Sequence, residues 1–232
     1  MFFSFKIFFT FNEKIYNCLL IQSIYNNRFL IVIIQARSSS RRLKNKVMIQ
    51  INNIPIIKYV YDKINRSKKI NKIIIATSTH KSDFKLVNYL KRNNILFFKG
   101  NLNNVAKRLL DCANKYNSKF FIRISGDSPF IDYKLINKAI NIFNKNKSFD
   151  IITNVFPRTF PKGMSIELIR TSILKNNLKL MTSLEKEHVT KYFYDNVRKF
   201  KIYNFRTRKK ISEHFAIDTP NDLKRLRKRF VL

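Results

Sequence analysis

Tryptophan is absent from this 232-residue chain, glycine occurs 3 times, proline 5 times and cysteine twice. The rare residues have G/C-rich codons, whereas the abundant Lys, Asn, Ile, Phe and Tyr have A/T-rich ones. Acidic residues are also scarce, 14 against 47 Lys and Arg, for a formal charge of +33. Such an imbalance ordinarily points to nucleic acid or an anionic membrane. Here the basic residues run along the whole chain, with modest clusters only at Arg206–Lys210 and Lys224–Arg229. Codon bias accounts for most of the excess, so specific nucleic-acid binding is the rival function rather than the first. Cys18 and Cys112 lie far apart without CxxC or Cys/His spacing. That excludes a disulfide framework and a zinc site, and it suits a reduced compartment. Cys112 falls on the apolar side of an expected helix, where a thiol behaves as a small hydrophobe.

Long apolar runs are missing too. The opening MFFSFKIFFTF is interrupted by Lys6 and followed by Asn12, Glu13 and Lys14. A membrane span needs about 20 apolar residues, and a signal peptide a cleaner apolar stretch with a small-residue cleavage site. Residues 1–27 are therefore a poorly specified extension, and residues 28–232 one domain.

What is present is a core: 45% hydrophobic and 26% charged residues describe a globular chain. Apolar runs predict strands at Phe29–Gln35, Lys72–Thr77, Ile95–Lys99, Phe120–Ser125, Ile151–Thr153, Ser165–Ile169, Phe200–Phe205 and Phe215–Asp218. Helix-period segments alternate with the early ones: Pro55–Asn65, Ser82–Asn93 with Ser82 as cap, Asn103–Tyr116 and Asp132–Phe143. The order predicts a mostly parallel sheet with helices on both faces. Two prolines and a glycine make Asn154–Gly163 an inserted loop. A last helix opens with Thr219 as cap, Pro220 in its first turn and Asp222 completing a capping box.

The most informative run is IVIIQARSSSRRLKNKVM, Ile31–Met48. A buried parallel strand ends at Gln35, and a loop with Arg37, Arg41, Arg42, Lys44 and Lys46 leaves its C-terminal end. That is where α/β proteins bind ligands, and the charge suits a polyphosphate. Asp127 ends the fourth strand and Asp218 the last, so two carboxylates face the basic loop. This is the minimum constellation for metal-assisted phosphoryl or nucleotidyl transfer. Asp132 reads instead as a helix cap. The glycines Gly100, Gly126 and Gly163 border strands and read as turns requiring positive φ.

With these residues in view, the chain resembles the cytidylyltransferases that activate sugars and sugar acids. That superfamily contains the CMP-KDO and CMP-sialic acid synthetases, and the match is nearest to the spore coat polysaccharide biosynthesis protein F branch. Its signature is approximately IIQARMGSTRLPGKVL. Further segments follow in order: IIIATSTHKSD, FFKGNLNNVAKRLLDCA, RISGDSPFID, DIITNVFPRTFPKGMSIELI, EKEHVTKYF and FAIDTPNDLKRL. The resemblance implies a three-layer, Rossmann-like nucleotide-diphospho-sugar transferase fold. It also implies an enzyme, cytoplasmic and compatible with a homodimer, that activates a sugar or sugar acid with CTP and releases pyrophosphate for glycan biosynthesis.

Carried over by position, the resemblance places Gln35, Ala36, Arg37, Ser40 and Arg42 on the nucleotide, with Lys46, Arg108 and Asp127. Asp127 and Asp218 would hold Mg²⁺ and, with Arg37 and Lys46, form the catalytic set. Asn154, Arg158, Glu167, Glu187 and His188 fall on the sugar side, while His80 and His214 receive no role. The chain departs from the pattern at Ser39 and at Lys44-Asn45, where the signature has Gly and Pro-Gly. Ser165 and Asn104 stand where Asp is frequent. Side chains in place of loop glycines hold the backbone further from phosphate, so a non-catalytic paralogue is a second rival.

Overall fold

The computed structural model describes residues 30–40, 42–208 and 211–230. The expected extension over residues 1–27, Cys18, Arg41 and part of the Arg206–Lys210 cluster lie outside the described residues. Strands follow in the order β1 (Leu30–Gln35), β2 (Gln50–Ile51), β3 (Ile54–Pro55), β4 (Ile73–Ser78) and β5 (Phe97–Gly100), then β6 (Phe120–Ser125), β7 (Ile151–Thr153), β8 (Glu167–Arg170) and β9 (Ile202–Asn204). β2 and β3 form a small hairpin. The others form one sheet in the order β5-β4-β1-β6-β8-β7-β9. Only β8 runs against its neighbours. The helices are α1 (Ile56–Asn65), α2 (Phe84–Arg92), α3 (Val105–Lys115), α4 (Tyr133–Lys145), α5 (Thr171–Asn177), α6 (Ser183–Glu187), α7 (Lys191–Asp195) and α8 (Pro220–Arg227).

β1 lacks alternation because both of its faces are covered. Val32 and Ile34 pack with Ile57, Val60 and Ile64 of α1, Leu86 and Leu90 of α2, and Ile136, Ile140 and Phe143 of α4. Ile31 and Ile33 face Val105, Leu109, Cys112 and Ala113 of α3. Helices therefore cover both faces, as the alternation of elements predicts. Each fully buried aliphatic side chain contributes about 1.5–3 kcal/mol.

Four expectations need correction. Phe215–Asp218 is not a strand. Phe215 N–H donates to Lys162 O (2.7 Å) and Ile217 N–H to Asp127 O (2.9 Å), so the segment crosses between two loops instead of lying along a strand. β8 starts at Glu167 rather than Ser165, because Asn154 Oδ1 takes the Ile166 N–H at 2.8 Å. Ser82 does not cap α2. A 3-10 turn, Lys81–Asp83, precedes that helix and carries the Asp83 side chain inward. Of the three glycines, only Gly163 has positive φ, +93°. At Gly126 the requirement is room, since a Cβ there would lie 2.9 Å from the Ala36 Cβ.

The caps of the later helices follow the sequence signals. Asp132 accepts from Lys134 N–H at the start of α4. Thr219 and Asp222 form a capping box on α8, with Pro220 in its first turn.

Candidate active site

The register aligns the strand ends that build the site. Gln35 lies opposite Ala76 on one side and Ser125 on the other. From Gln35 the chain enters the loop 36–45, whose shape is set by two backbone groups of Ser38. Ser38 N–H donates to Asp83 Oδ1 (2.6 Å) and Ser38 O accepts from Asn45 N–H (2.9 Å). Asn45 is left-handed, φ 55°. The residue standing at the signature's Gly position thus makes the same class of turn, because Asn tolerates this region. A 3-10 turn, Lys46–Met48, follows and aims Lys46 back at the strand ends.

Lys46 Nζ donates to Asp127 Oδ2 and, at 2.8 Å, to Asp218 Oδ1. Arg42 reaches the same Asp218 oxygen at 3.1 Å from an exposed position. Burial alone would lower the Lys46 pKa, but Asp127 and then Asp218 outweigh it and raise it. Burial would raise the Asp218 carboxyl, but Lys46 and then Arg42 hold it below the ordinary range. The two aspartates are tied through the backbone as well, by the bond from Ile217 N–H to Asp127 O.

A cleft of about 680 Å³ opens over this cluster. Gln35, Ala36, Arg37, Ser40, Arg42, Lys46, Arg108 and Asp127 all line it, so one cavity collects every position expected on the nucleotide. Arg108 is fully buried and donates to Asn101 O (2.6 Å) and Leu102 O (3.3 Å), while its Nε has no partner. Burial, and then Arg37, lower its pKa to about 10. Arg37 itself pairs with Glu187 and donates to Leu102 O at 3.3 Å.

A second cleft of about 600 Å³ adjoins the first, and Arg123, Ser125, Asp127, His188 and Asp218 line both. Of the positions expected on the sugar, Arg158, Glu167 and His188 line it. Arg158 donates to Ser165 Oγ at 3.1 Å. Glu187 lies elsewhere, against Arg37 in the first cleft, because α6 ends at that residue and presents it there. Asn154 lines neither cleft. Its amide is buried and staples the inserted loop, donating to Met164 O (2.8 Å) while accepting from Ile166 N–H.

Three participants escaped the sequence reading. Arg123 on β6 donates to Gln35 Oε1 (2.9 Å) and pairs with Glu167. Tyr194 donates to Glu167 Oε1 (2.9 Å), meets Thr153 Oγ1 at 3.0 Å and stacks on Phe156 with centroids 4.7 Å apart. Burial, and then Glu167, raise its phenol well above the ordinary value. Arg123 left a signal, a charge inside the apolar strand FFIRIS; Tyr194 in a short amphipathic segment left none. The third is Asp83, whose spacing from the loop gave no warning of contact.

Among the described residues no group of three or more His, Cys, Asp and Glu gathers as a metal site. Mg²⁺, however, uses one or two carboxylates and completes its shell with phosphate oxygens and water. Asp127 and Asp218 already share one cation, the Lys46 ammonium, and their hard oxygen donors fit such an ion.

A mostly parallel sheet with one carboxylate just after β6 and a second in the segment before α8, both paired with a lysine of a cationic loop, defines a nucleotidyltransferase-type α/β protein. The comparisons narrow the class. The family model described as Cytidylyltransferase matches residues 31–229. An uncharacterized protein of Methanocaldococcus jannaschii is 30% identical over 199 residues, covering 84% of this chain and 80% of the relative. The spore coat polysaccharide biosynthesis protein SpsF of Bacillus subtilis is 24% identical over 180 residues, 75% and 73% of the two chains. A solved cytidylyltransferase of Leptospira borgpetersenii superposes with a TM-score of 0.82 at 30% identity, covering 86% and 85%. The chain belongs to the cytidylyltransferase family and is an enzyme of that type.

Proposed function

We propose that this enzyme transfers CMP from CTP to a hydroxyl of a sugar or sugar acid, releasing pyrophosphate, in the synthesis of a surface polysaccharide or other glycan. The observation that carries the reading is the convergence of two clefts on one cluster, Asp127–Lys46–Asp218. The first cleft supplies cations for a triphosphate: Arg37, Arg42 and Lys46. The second offers the stacked pair Phe156–Tyr194 for the C–H face of a sugar ring and polar groups for its hydroxyls. Arg158 donates there to neutral oxygens of Ser165 and Pro161, with the Glu167 carboxylate near enough to favour its charge. The name of the Bacillus relative, a polysaccharide biosynthesis protein, agrees with a sugar acceptor.

Catalysis in this reading is positioning plus charge neutralisation. The sugar hydroxyl attacks the α-phosphorus, its proton passing to solvent, and the bond to pyrophosphate breaks. Arg37 and Lys46 neutralise charge on the triphosphate, Arg108 closes the inner wall, and His188, at the junction of the clefts, contacts the acceptor. Asp127 and Asp218 would hold Mg²⁺, which when bound supplies Lewis-acid neutralisation of phosphate charge. Among the described residues no helix is long and apolar enough to cross a membrane, and we place the reaction in the cytoplasm, where the nucleotide pool lies.

Pyrophosphate release from each NTP with Mg²⁺ and a panel of sugars and sugar acids tests this. Turnover with CTP and one acceptor class supports the reading. Tight CTP binding without turnover on a broad panel favours a non-catalytic paralogue. Salt-sensitive DNA binding with no saturable CTP binding favours the nucleic-acid reading, because phosphate contacts weaken steeply with salt.

A further inference from the structure

Asp83 lines neither cleft and is fully buried, yet it is wired into the loop that shapes the nucleotide cleft. Its Oδ1 accepts the Ser38 N–H at 2.6 Å. Its Oδ2 accepts Thr77 Oγ1 (2.8 Å), Ser78 N–H (2.9 Å) and Ser78 Oγ. Every one of these donors is neutral. A buried carboxylate is costly unless its oxygens are satisfied, and four donors satisfy this one while locking it to the end of β4.

The links continue beyond Ser38. Its carbonyl accepts from Asn45 N–H, Asn45 turns the chain through the left-handed region, and the next residue is Lys46 between the two aspartates. The loop lacks the flexible glycines that its signature carries, so its path depends on where it is tied.

We propose that Asp83 is a positioning residue for the nucleotide. Acting through Ser38 and Asn45, it holds the loop 36–45 so that Ser40, Arg42 and Lys46 face the cleft. Its own part is behind the loop: it occupies the Ser38 N–H and touches no substrate atom. The inference rests on the proposed use of this cleft for CTP.

The test is Asp83→Asn, nearly isosteric, which turns one acceptor oxygen into a donor facing donors. In the ligand-free protein, amide hydrogen exchange over residues 38–46 should accelerate at least tenfold. Affinity for Mg²⁺–CTP should fall about tenfold, the scale of one hydrogen bond to a charged group. The KM for the acceptor sugar should hold. Asn45→Val changes an exposed residue and strains the next link, so it should give the same signature in a folded protein, and the double variant should lose less than the two single losses combined. Leu90→Ala, a cavity in the core beneath α2, should lower stability while CTP affinity and loop exchange stay unchanged.

A folded Asp83→Asn with unchanged loop exchange and CTP affinity overturns the inference, even if its stability falls. If Asp83→Asn does not fold, normal exchange and affinity in Asn45→Val overturn it. If the wild-type protein binds no CTP, the functional reading fails instead, and the exchange measurement still decides whether Asp83 holds the loop.

Discussion

The two clefts meet at Asp127 and Asp218 but are built differently. The nucleotide cleft stands on the parallel half of the sheet, where the ends of β1 and β6 feed loops that carry the cations and the first carboxylate. Its residues are mostly local, from 35–46 and 102–108, with 126–127. The second cleft stands where β8 reverses direction between β6 and β7. Its polar relay joins residues remote in the chain: Gln35 to Arg123, Arg123 to Glu167, Glu167 to Tyr194 and Tyr194 to Thr153. In the first cleft the cations converge on shared acceptors, Lys46 and Arg42 both reaching Asp218. In the second, the buried Glu167 carboxylate takes two donors, Arg123 and Tyr194, each tied in turn to a further residue. One side is arranged for chemistry, the other for rigidity.

The sharpest way to break this contrast is to remove one carboxylate from each side. Asp127→Ala should reduce kcat about 10³-fold, roughly 4 kcal/mol, with little change in Tm, because Lys46 keeps Asp218 as a partner. Pyrophosphate release and thermal unfolding on the same preparation check both halves, and full activity would remove Asp127 from the mechanism. Glu167→Ala should do the reverse in kind. It leaves the Arg123 charge with Gln35 as its hydrogen-bond partner and the Tyr194 hydroxyl with Thr153, removes the counter-charge, and should cost about 3 kcal/mol of stability. At about 2–4 °C per kcal/mol, that lowers Tm by roughly 10 °C. An unchanged Tm would show that the relay is dispensable.

Gly163 sharpens the comparison at the junction. A Cβ there would lie 2.5 Å from Ala216 N, in a residue with φ of +93°. Gly163→Ala should therefore cost about 2 kcal/mol in strain and displace the segment that delivers Asp218. Losses in both Tm and kcat are expected. A loss in Tm alone would mean that the 215–218 segment holds its place independently of the inserted loop.

The same contrast explains what was legible in the sequence. The parallel half declares itself through contiguous runs: LIVIIQ for β1, a cationic loop, and SGD after β6. Local order there dictates both fold and cluster, and all eight expected nucleotide positions line one cleft. The antiparallel half depends on partners 27 and 44 residues apart, which no local pattern encodes. Arg123 and Tyr194 were therefore missed. Asn154 carries a polar side chain in a loop, which reads equally as a ligand or as a staple, and here it staples. Asp218 sits directly before a helix cap, and only the fold shows that its carboxylate turns to Lys46 rather than to the helix.

The smallest effect concerns pH and falls on the buried carboxylate behind the nucleotide cleft, Asp83. Burial by itself would raise the Asp83 carboxyl, but Ser78, the Ser38 N–H and Thr77 more than offset it and hold the folded value below the ordinary 3.8. The folded protein thus binds this proton less readily than the unfolded chain does. Its contribution to stability is fully present above about pH 4 and is lost as pH falls through the lowered folded value. Arg108 is a charged neighbour that feels this carboxylate, and it stays protonated throughout that range. The Tm gap between wild type and Asp83→Asn should accordingly be constant from pH 7 to about pH 4 and narrow below it, measured by thermal unfolding at matched ionic strength. A gap as wide at pH 3 as at pH 7 would mean that the donors around Asp83 hold its shape rather than its charge.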